Sequence, residues 1–216
     1  MKKLLVSVLA VVLALSCVCA WAADDPFAKL GRYEMTVGHA QPEGNPRWVS
    51  MLKFAEDVAK GTHGHVTVSV FGNGQLGTEK EMLEQVVQGV TQGMRGGQFD
   101  FSPRLLMFTL PFMTNTRAEV TALLQSDLAK KVCAEAEKTT GTVTINLCDA
   151  GGYRQFSNNS HPIKKPDDLR GLKMRTNGMK TIDMTFIAMG ATTTTVPYAD
   201  LYMALKTGVA DGQENP

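Results

Sequence analysis

Val66-Thr67-Val68-Ser69-Val70-Phe71, then Gly72-Asn73-Gly74-Gln75-Leu76-Gly77, then Thr78-Glu79-Lys80-Glu81-Met82-Leu83-Glu84-Gln85-Val86-Val87 reads as strand, tight turn and helix. Most of the first six residues are β-branched or aromatic and suit a pleated, half-buried surface. Thr78 and Glu81 have the spacing of a capping box, which satisfies two of the free N–H groups at a helix start. Met82, Leu83, Val86 and Val87 then share one helical face, and Gly89 ends the helix. The turn also spells G-x-G-x-x-G, the dinucleotide fingerprint. Three features oppose that reading. Thr78 already caps the helix that would hold a pyrophosphate, and Glu79, Glu81 and Glu84 would repel it. Val90 to Gly97, where the next strand would fall, is rich in Gly and polar residues. An exported protein also lacks an assured supply of such a cofactor.

The same rhythm extends outward in both directions. Tyr33 to Gly38 alternates as a strand, and Asn45-Pro46 opens a helix as N-cap and first residue. Trp48, Met51, Leu52, Ala55 and Val58 recur at helical spacing until Gly61. Thr116-x-x-Glu119 opens a longer helix that Gly141 stops, and Thr142 to Leu147 reads as the next strand. Leu172 to Thr176 is a strand, Met179 to Met189 a helix with Ile182, Phe186 and Ile187 inward, Thr192 to Val196 a strand and Tyr198 to Thr207 a helix. Repeated strand-then-helix units of this length predict an α/β fold with largely parallel sheets. Gly151-Gly152 is the expected crossing between two lobes. The chain stops at Pro216 after a turn-like Asp211-Gly212, without a closing element, as a truncated domain would.

The first residues predict export. Lys2 and Lys3 precede an apolar run from Leu4 to Leu15, and Ala20-Trp21-Ala22 supplies the small residues of a cleavage site. The run is too short to span a bilayer, so cleavage after Ala22 is expected. A lipidated start at Cys17 or Cys19 is the alternative, although Ala14-Leu15-Ser16 matches a lipidation box poorly. Of 216 residues, 194 remain once those 22 are removed. Lys2 and Lys3 leave with them, so the formal charge of +1 becomes −1. That balance argues against nucleic acid or an acidic membrane as the main partner. Of four cysteines, Cys133 and Cys148 remain, either paired or free, and two thiols alone make no zinc site.

Motifs for catalysis are lacking. There is no G-x-S-x-G and no histidine in a recognisable catalytic setting. Asp167-Asp168 follows Pro166 as the start of a short helical turn, where carboxylates favour the helix dipole. His63-Gly64-His65 lacks a third ligand and reads as exposed turn residues. Two arginines are more informative. Arg175 ends Gly171-Leu172-Lys173-Met174-Arg175, and Arg154 follows the glycine pair in Gly151-Gly152-Tyr153-Arg154-Gln155. Each is either a solvated surface residue or a planar fork presented at a strand end to a carboxylate.

Gly74-Gln75-Leu76-Gly77, Pro166-Asp167-Asp168-Leu169-Arg170-Gly171-Leu172-Lys173-Met174-Arg175 and Leu205-Lys206-Thr207-Gly208-Val209-Ala210-Asp211-Gly212-Gln213-Glu214-Asn215-Pro216 resemble the solute-binding proteins of tripartite ATP-independent periplasmic (TRAP) transporters, of the dicarboxylate-binding type. The resemblance runs from about Tyr33 to Pro216. It implies a periplasmic-binding-protein-like fold: two α/β lobes around a ligand cleft, residues 23–151 and 152–216 here, the second lobe incomplete. It places the carboxylate clamp on Arg175, a second arginine on Arg154, an asparagine on Asn215 and an aromatic on Tyr198. It implies no cofactor, an organic acid as ligand and the membrane subunits of a TRAP transporter as partner, in the periplasm. Met94-Arg95-Gly96-Gly97 departs from the family pattern, which is more apolar there. A binding protein of an ATP-driven importer and a ligand-sensing receptor component are the competing readings.

Overall fold

The computed structural model describes residues 25–216; the expected leader and its expected cleavage site lie outside the described residues. Two sheets organise the chain. The first has the order β2-β1-β3, all parallel, from β1 (Tyr33–His39), β2 (Val66–Phe71) and β3 (Gly93–Arg95). Helix α1 (Pro46–Gly61) links β1 to β2, and α2 (Glu79–Val87) links β2 to β3. The second sheet has the order β4-β7-β5-β6, from β4 (Gln155–Asn158), β5 (Lys173–Thr176), β6 (Thr192–Thr195) and β7 (Gly212–Asn215). In it β5 runs parallel to β6 and β7, and β4 is antiparallel to β7. Helix α5 (Lys180–Ala188) joins β5 to β6, and α6 (Leu201–Lys206) precedes β7. Between the sheets lie α3 (Arg117–Leu124) and α4 (Asp127–Thr140). This is the α/β architecture that the strand-helix rhythm predicts.

Caps explain why the elements start where they do. Asn45 accepts from the Arg47 N–H with Pro46 next in line, and Thr78 and Glu81 close a complete capping box. Ser126 caps α4, and Gly141 ends it in the left-handed conformation that glycine adopts freely. The expected single helix from Thr116 to Gly141 is therefore two. Ser126 offers its side-chain oxygen to the Ala129 N–H, and that cap starts a new helix.

Two cores hold the structure. Leu169, Leu172, Met174, Met179, Ile182, Phe186 and Ala191 form one beneath the second sheet. Leu105, Val132 and Ala136 form another, and Phe99 packs against both. In the first sheet, Met82 lies so close to Gly38 that a Cβ there would stand 2.6 Å from its Sδ. The absence of a side chain at Gly38 is what lets α2 approach β1.

Four other expectations are corrected. Thr142 to Leu147 forms no strand: no neighbouring strand pairs with it among the described residues, and Val143 and Ile145 are three-quarters exposed. Ile187 points outward, because Ile182 and Phe186 already fill the buried face and residue 187 lies about 100° further round. Val90 to Gly97 does contain a strand, β3, whose half-buried residues satisfy the open edge of β1. The residues after Asp211 are not an open turn. They form β7, inserted between β4 and β5, and hydrogen bonding to both neighbours makes strands of polar residues.

Candidate functional site

Strand order locates the site. In the first sheet the chain moves from β1 to β2 on one side and then returns to β3 on the other. In the second it moves from β5 to β6 and then returns to β7. Each reversal opens a crevice outside the carboxyl ends of the two strands that flank it, where open α/β sheets bind ligands. Those strand ends carry His39 and Arg95 in the first sheet, and Arg175, Thr176 and Asn215 in the second.

Arg175 is 2% exposed, so the solvated-surface alternative fails. Its Nε donates to the Val196 carbonyl oxygen at 2.7 Å, which fixes the guanidinium plane beneath the end of β6. It makes no ion pair, and its two Nη groups have no hydrogen-bond partner among the described residues. Burial pushes its pKa below the ordinary arginine value, and Glu214 acts in the opposite direction. A guanidinium taken out of water with both Nη groups unused is uncommon, because a buried charge is costly unless it is paired.

The other three expected residues gather around it. Arg154 precedes β4 and grips Glu214 of β7 bidentately: Nε meets Oε2, and Nη2 donates to Oε1 at 2.7 Å. The same Nη2 reaches the Glu214 carbonyl oxygen at 3.2 Å and Asn215 Oδ1 at 3.4 Å. Glu214 is 3% exposed and lies within the field of both Arg154 and Arg175. Asn215 is held by its Nδ2 bond of 2.6 Å to Gln213 Oε1. Tyr198, exposed in a 3-10 turn two residues after Val196, lies near Arg175. Arg175, Arg154, Asn215 and Tyr198 thus form one cluster, with Glu214 at its centre.

The first sheet faces this cluster with residues that the sequence reading passed over. Arg47, in the first turn of α1, donates from Nη2 to the Ala150 carbonyl oxygen at 2.8 Å. Arg95 reaches Cys148 Sγ at 3.6 Å. Glu79, the first residue of α2, accepts from the Gly97 N–H at 3.2 Å. Burial raises its pKa, against the pull of Gly97, Arg47, Arg175 and Arg154. His39 is 1% exposed, with its ring 5.2 Å from that of Trp48. Its Nδ1 accepts from the Gln41 N–H, so the proton of the neutral ring belongs on Nε2, which has no partner among the described residues. Burial, then Arg95 and Arg47, hold it below the ordinary histidine range. No local pattern marks Arg47 and Arg95 in sequence: Glu43 stands four residues before Arg47, and the strand that ends at Arg95 is unexpected in so polar a stretch.

The motifs set aside resolve simply. Gly72 to Gly77 is a turn into the capped α2. His63 and His65 both contact the Asp25 carboxylate, at 3.1 and 2.8 Å, with His63 exposed and His65 mostly covered; among the described residues no group of three ligands could hold a metal. Asp168 accepts from the Lys164 and Lys165 N–H groups. Cys133 and Cys148 are free thiols. Among the described residues, no helix is long and apolar enough to cross a membrane.

Residues 37–216 match the family described as bacterial extracellular solute-binding protein, family 7. The C4-dicarboxylate-binding periplasmic protein DctP of Rhodobacter capsulatus is 31% identical over 182 residues, which is 82% of this chain and 54% of that protein. A TRAP periplasmic solute binding protein from Desulfovibrio salexigens with bound orotic acid superposes with a TM-score of 0.80 at 31% identity, over 86% of this chain and 60% of that one. Another, from Sulfurospirillum deleyianum with bound succinate, gives 0.78 at 28% identity, over 87% and 61%. The chain spans little more than half the length of these relatives.

Proposed function

The chain belongs to family 7 of the bacterial extracellular solute-binding proteins, and on that premise we propose that it captures a small organic acid in the periplasm and delivers it, chemically unchanged, to a TRAP-type membrane transporter. The observation that carries the reading is Arg175, a buried guanidinium with no carboxylate partner and two unused donors at a topological switch point. Solved relatives hold organic acids, among them orotate and succinate.

In this reading residues 23–151 and 152–216 are two lobes joined at Gly151-Gly152, and residues 1–22 are a cleaved leader. Arg175 takes the ligand carboxylate as a bidentate pair. Arg154 is engaged by Glu214 and acts as a brace, presenting Asn215 and keeping Glu214 from collapsing onto Arg175. Tyr198 covers the site with an aromatic face and a hydroxyl. Binding needs no reaction, and the cluster offers no nucleophile beside a base.

Thermal-shift measurements with a panel of organic acids test the proposal. Millimolar acid should raise the melting temperature, because a ligand that binds only the folded state adds RT ln(1 + [L]/Kd) to stability. Neutral analogues, such as the corresponding amides, should not. A panel in which amides and acids shift the transition equally would reject carboxylate capture.

A further inference from the structure

We propose that Asp25, His63 and His65 form a proton-operated clasp, which fastens residues 25–31 to the amino end of the first sheet and loosens as pH rises through the histidine range. This device lies at the other end of β1 from His39 and is independent of the acid-binding reading above.

His63 and His65 lie in the turn that joins α1 to β2, and that turn is pinned. The Gly64 N–H donates to the Ala59 carbonyl oxygen at 2.7 Å, while the Thr62 hydroxyl donates to Val58 O and accepts from the Val66 N–H. His63 adopts a φ of 50°, a left-handed conformation that a residue with a side chain seldom takes. Both rings meet one carboxylate: His63 Nδ1 stands 3.1 Å from Asp25 Oδ1, and His65 Nε2 stands 2.8 Å from Oδ2. The Phe27 ring meets His63 edge-on at 5.8 Å and lies 6.3 Å from His65. Among the described residues, every hydrogen bond or ion pair from residues 25–31 to the rest of the chain ends on these two histidines. The first strand starts from the same point, because the Tyr33 N–H donates to His65 O.

The partners of His65 decide its proton count. Its Nε2 faces the Asp25 carboxylate, and its Nδ1 faces the Leu30 and Gly31 carbonyl oxygens at 3.2 and 3.4 Å. All three are acceptors. A neutral imidazole has one N–H and one lone pair, so either tautomer turns a lone pair toward an oxygen. Only the doubly protonated ring donates on both sides, and it does so to a carboxylate of opposite charge. The His65 side chain is 16% exposed, so water replaces these partners poorly. His63 is half-exposed and needs a single N–H toward Asp25, so it supports the clasp whether neutral or charged. On the acid side, the Phe27 N–H and then both histidines hold the Asp25 carboxyl below its ordinary 3.8, so its charge persists until pH falls below that value. The clasp is therefore tightest between the carboxylate and histidine ranges. The other titratable groups on the surrounding elements are Lys29 and Arg32 beside the clasp, Tyr33 and Glu34 of β1, and Lys53, Glu56, Asp57 and Lys60 of α1. Glu34 accepts from Ser69, Lys53 holds Glu56 and Asp57, and none of the eight pairs with the clasp among the described residues.

Hydrogen exchange on the full chain, corrected for the intrinsic pH dependence of amide exchange, tests this. The Phe27, Ala28 and Leu30 N–H groups donate within residues 25–31 and report whether that segment is closed. Their protection should rise about tenfold between about pH 8 and about pH 5.5, on either side of the ordinary histidine value. Nitrogen NMR at about pH 5.5 should show a proton on each ring nitrogen of His65. His65→Gln and Asp25→Asn should each remove the pH-dependent step, and His63→Gln should keep most of it. Equal protection of wild type at the two pH values overturns the clasp. So does a step that persists in a folded His65→Gln variant. A His65 ring with a single proton at the lower pH overturns its part as the operating group. If a variant fails to fold, the wild-type exchange and ring nitrogens still decide the matter.

Discussion

Replacing Arg175 separates a ligand clamp from a structural arginine. Its Nε is committed to Val196 O, which leaves the two Nη groups for the ligand. A hydrogen bond to a charged group contributes about 1.5–3 kcal/mol, so two such bonds place the clamp at about 3–6 kcal/mol. Truncation of one partner of a buried charge pair, at about 2–5 kcal/mol, agrees with this. Arg175→Met should therefore reduce affinity for the best acid by at least about 30-fold. Arg175→Lys keeps the charge but replaces the planar fork by a point donor; losing one bond of that strength costs roughly ten- to hundred-fold. Stability should move the other way. In the unliganded protein the buried guanidinium has no carboxylate of its own, and replacing such a charge by a hydrophobic side chain is often neutral or stabilising. The assay is calorimetry for affinity and scanning fluorimetry for the melting temperature, on the same preparations. Affinity within threefold of wild type for Arg175→Lys, or a large fall in melting temperature for ligand-free Arg175→Met, would refute the clamp.

The cluster and the fold yield further expectations. Glu214→Gln leaves Arg154 and Arg175 without their shared counter-charge, and should lower stability by about 1–3 kcal/mol, discounted for the partial exposure of Arg154; an unchanged urea midpoint would contradict this. Gly212→Ala would press a methyl group into the Ser157 carbonyl oxygen and to 2.9 Å from Met174 Sδ, neither easily moved, and should cost roughly 1–3 kcal/mol in denaturant melts. Burial raises the Glu79 pKa above the ordinary 4.5, so the native state binds more protons than the unfolded chain just above that pH, and stability falls as pH rises through that window. Glu79→Gln should flatten this dependence, which melting temperatures measured across weakly acidic pH would reveal. N-terminal sequencing of exported protein should begin at Ala23, and a lipid-modified Cys17 would replace that expectation.

Legibility followed the physics of each element. Caps act within a few residues, so Asn45, Thr78 and Gly141 marked true boundaries in sequence. Parallel pairing is non-local, and it overrode composition. Gly93–Arg95 and Gly212–Asn215 carry little β propensity, yet each lies against a strand that needs a partner. Conversely, Val143 and Ile145 alternate correctly and form no strand, because alternation without a neighbouring ladder gives the backbone no partners. The extra break at Ser126 was missed because Ser within a helical pattern is ordinary until its side chain is seen to cap.

The site divides in the same way. Arg175 was placed by the family resemblance of Gly171 to Arg175, since spacing alone left it open between a surface residue and a fork, and its burial decides against the surface reading. Arg154 was readable as a residue but not as a brace, since its carboxylate partner lies 60 positions away in sequence. Arg47, Arg95, Glu79 and His39 come from different elements, and only the reversal of strand order at β1 gathers them. The two switch points therefore play unequal parts. The second sheet carries a cation with a fixed plane, set by Val196, and a neutralised Arg154–Glu214 pair, which suits a group common to many acids. The first carries cations tied to a carbonyl and a thiol rather than to a carboxylate. The proposed acid capture therefore rests on the end of β5, where the guanidinium plane is fixed and its Nη groups have no partner among the described residues.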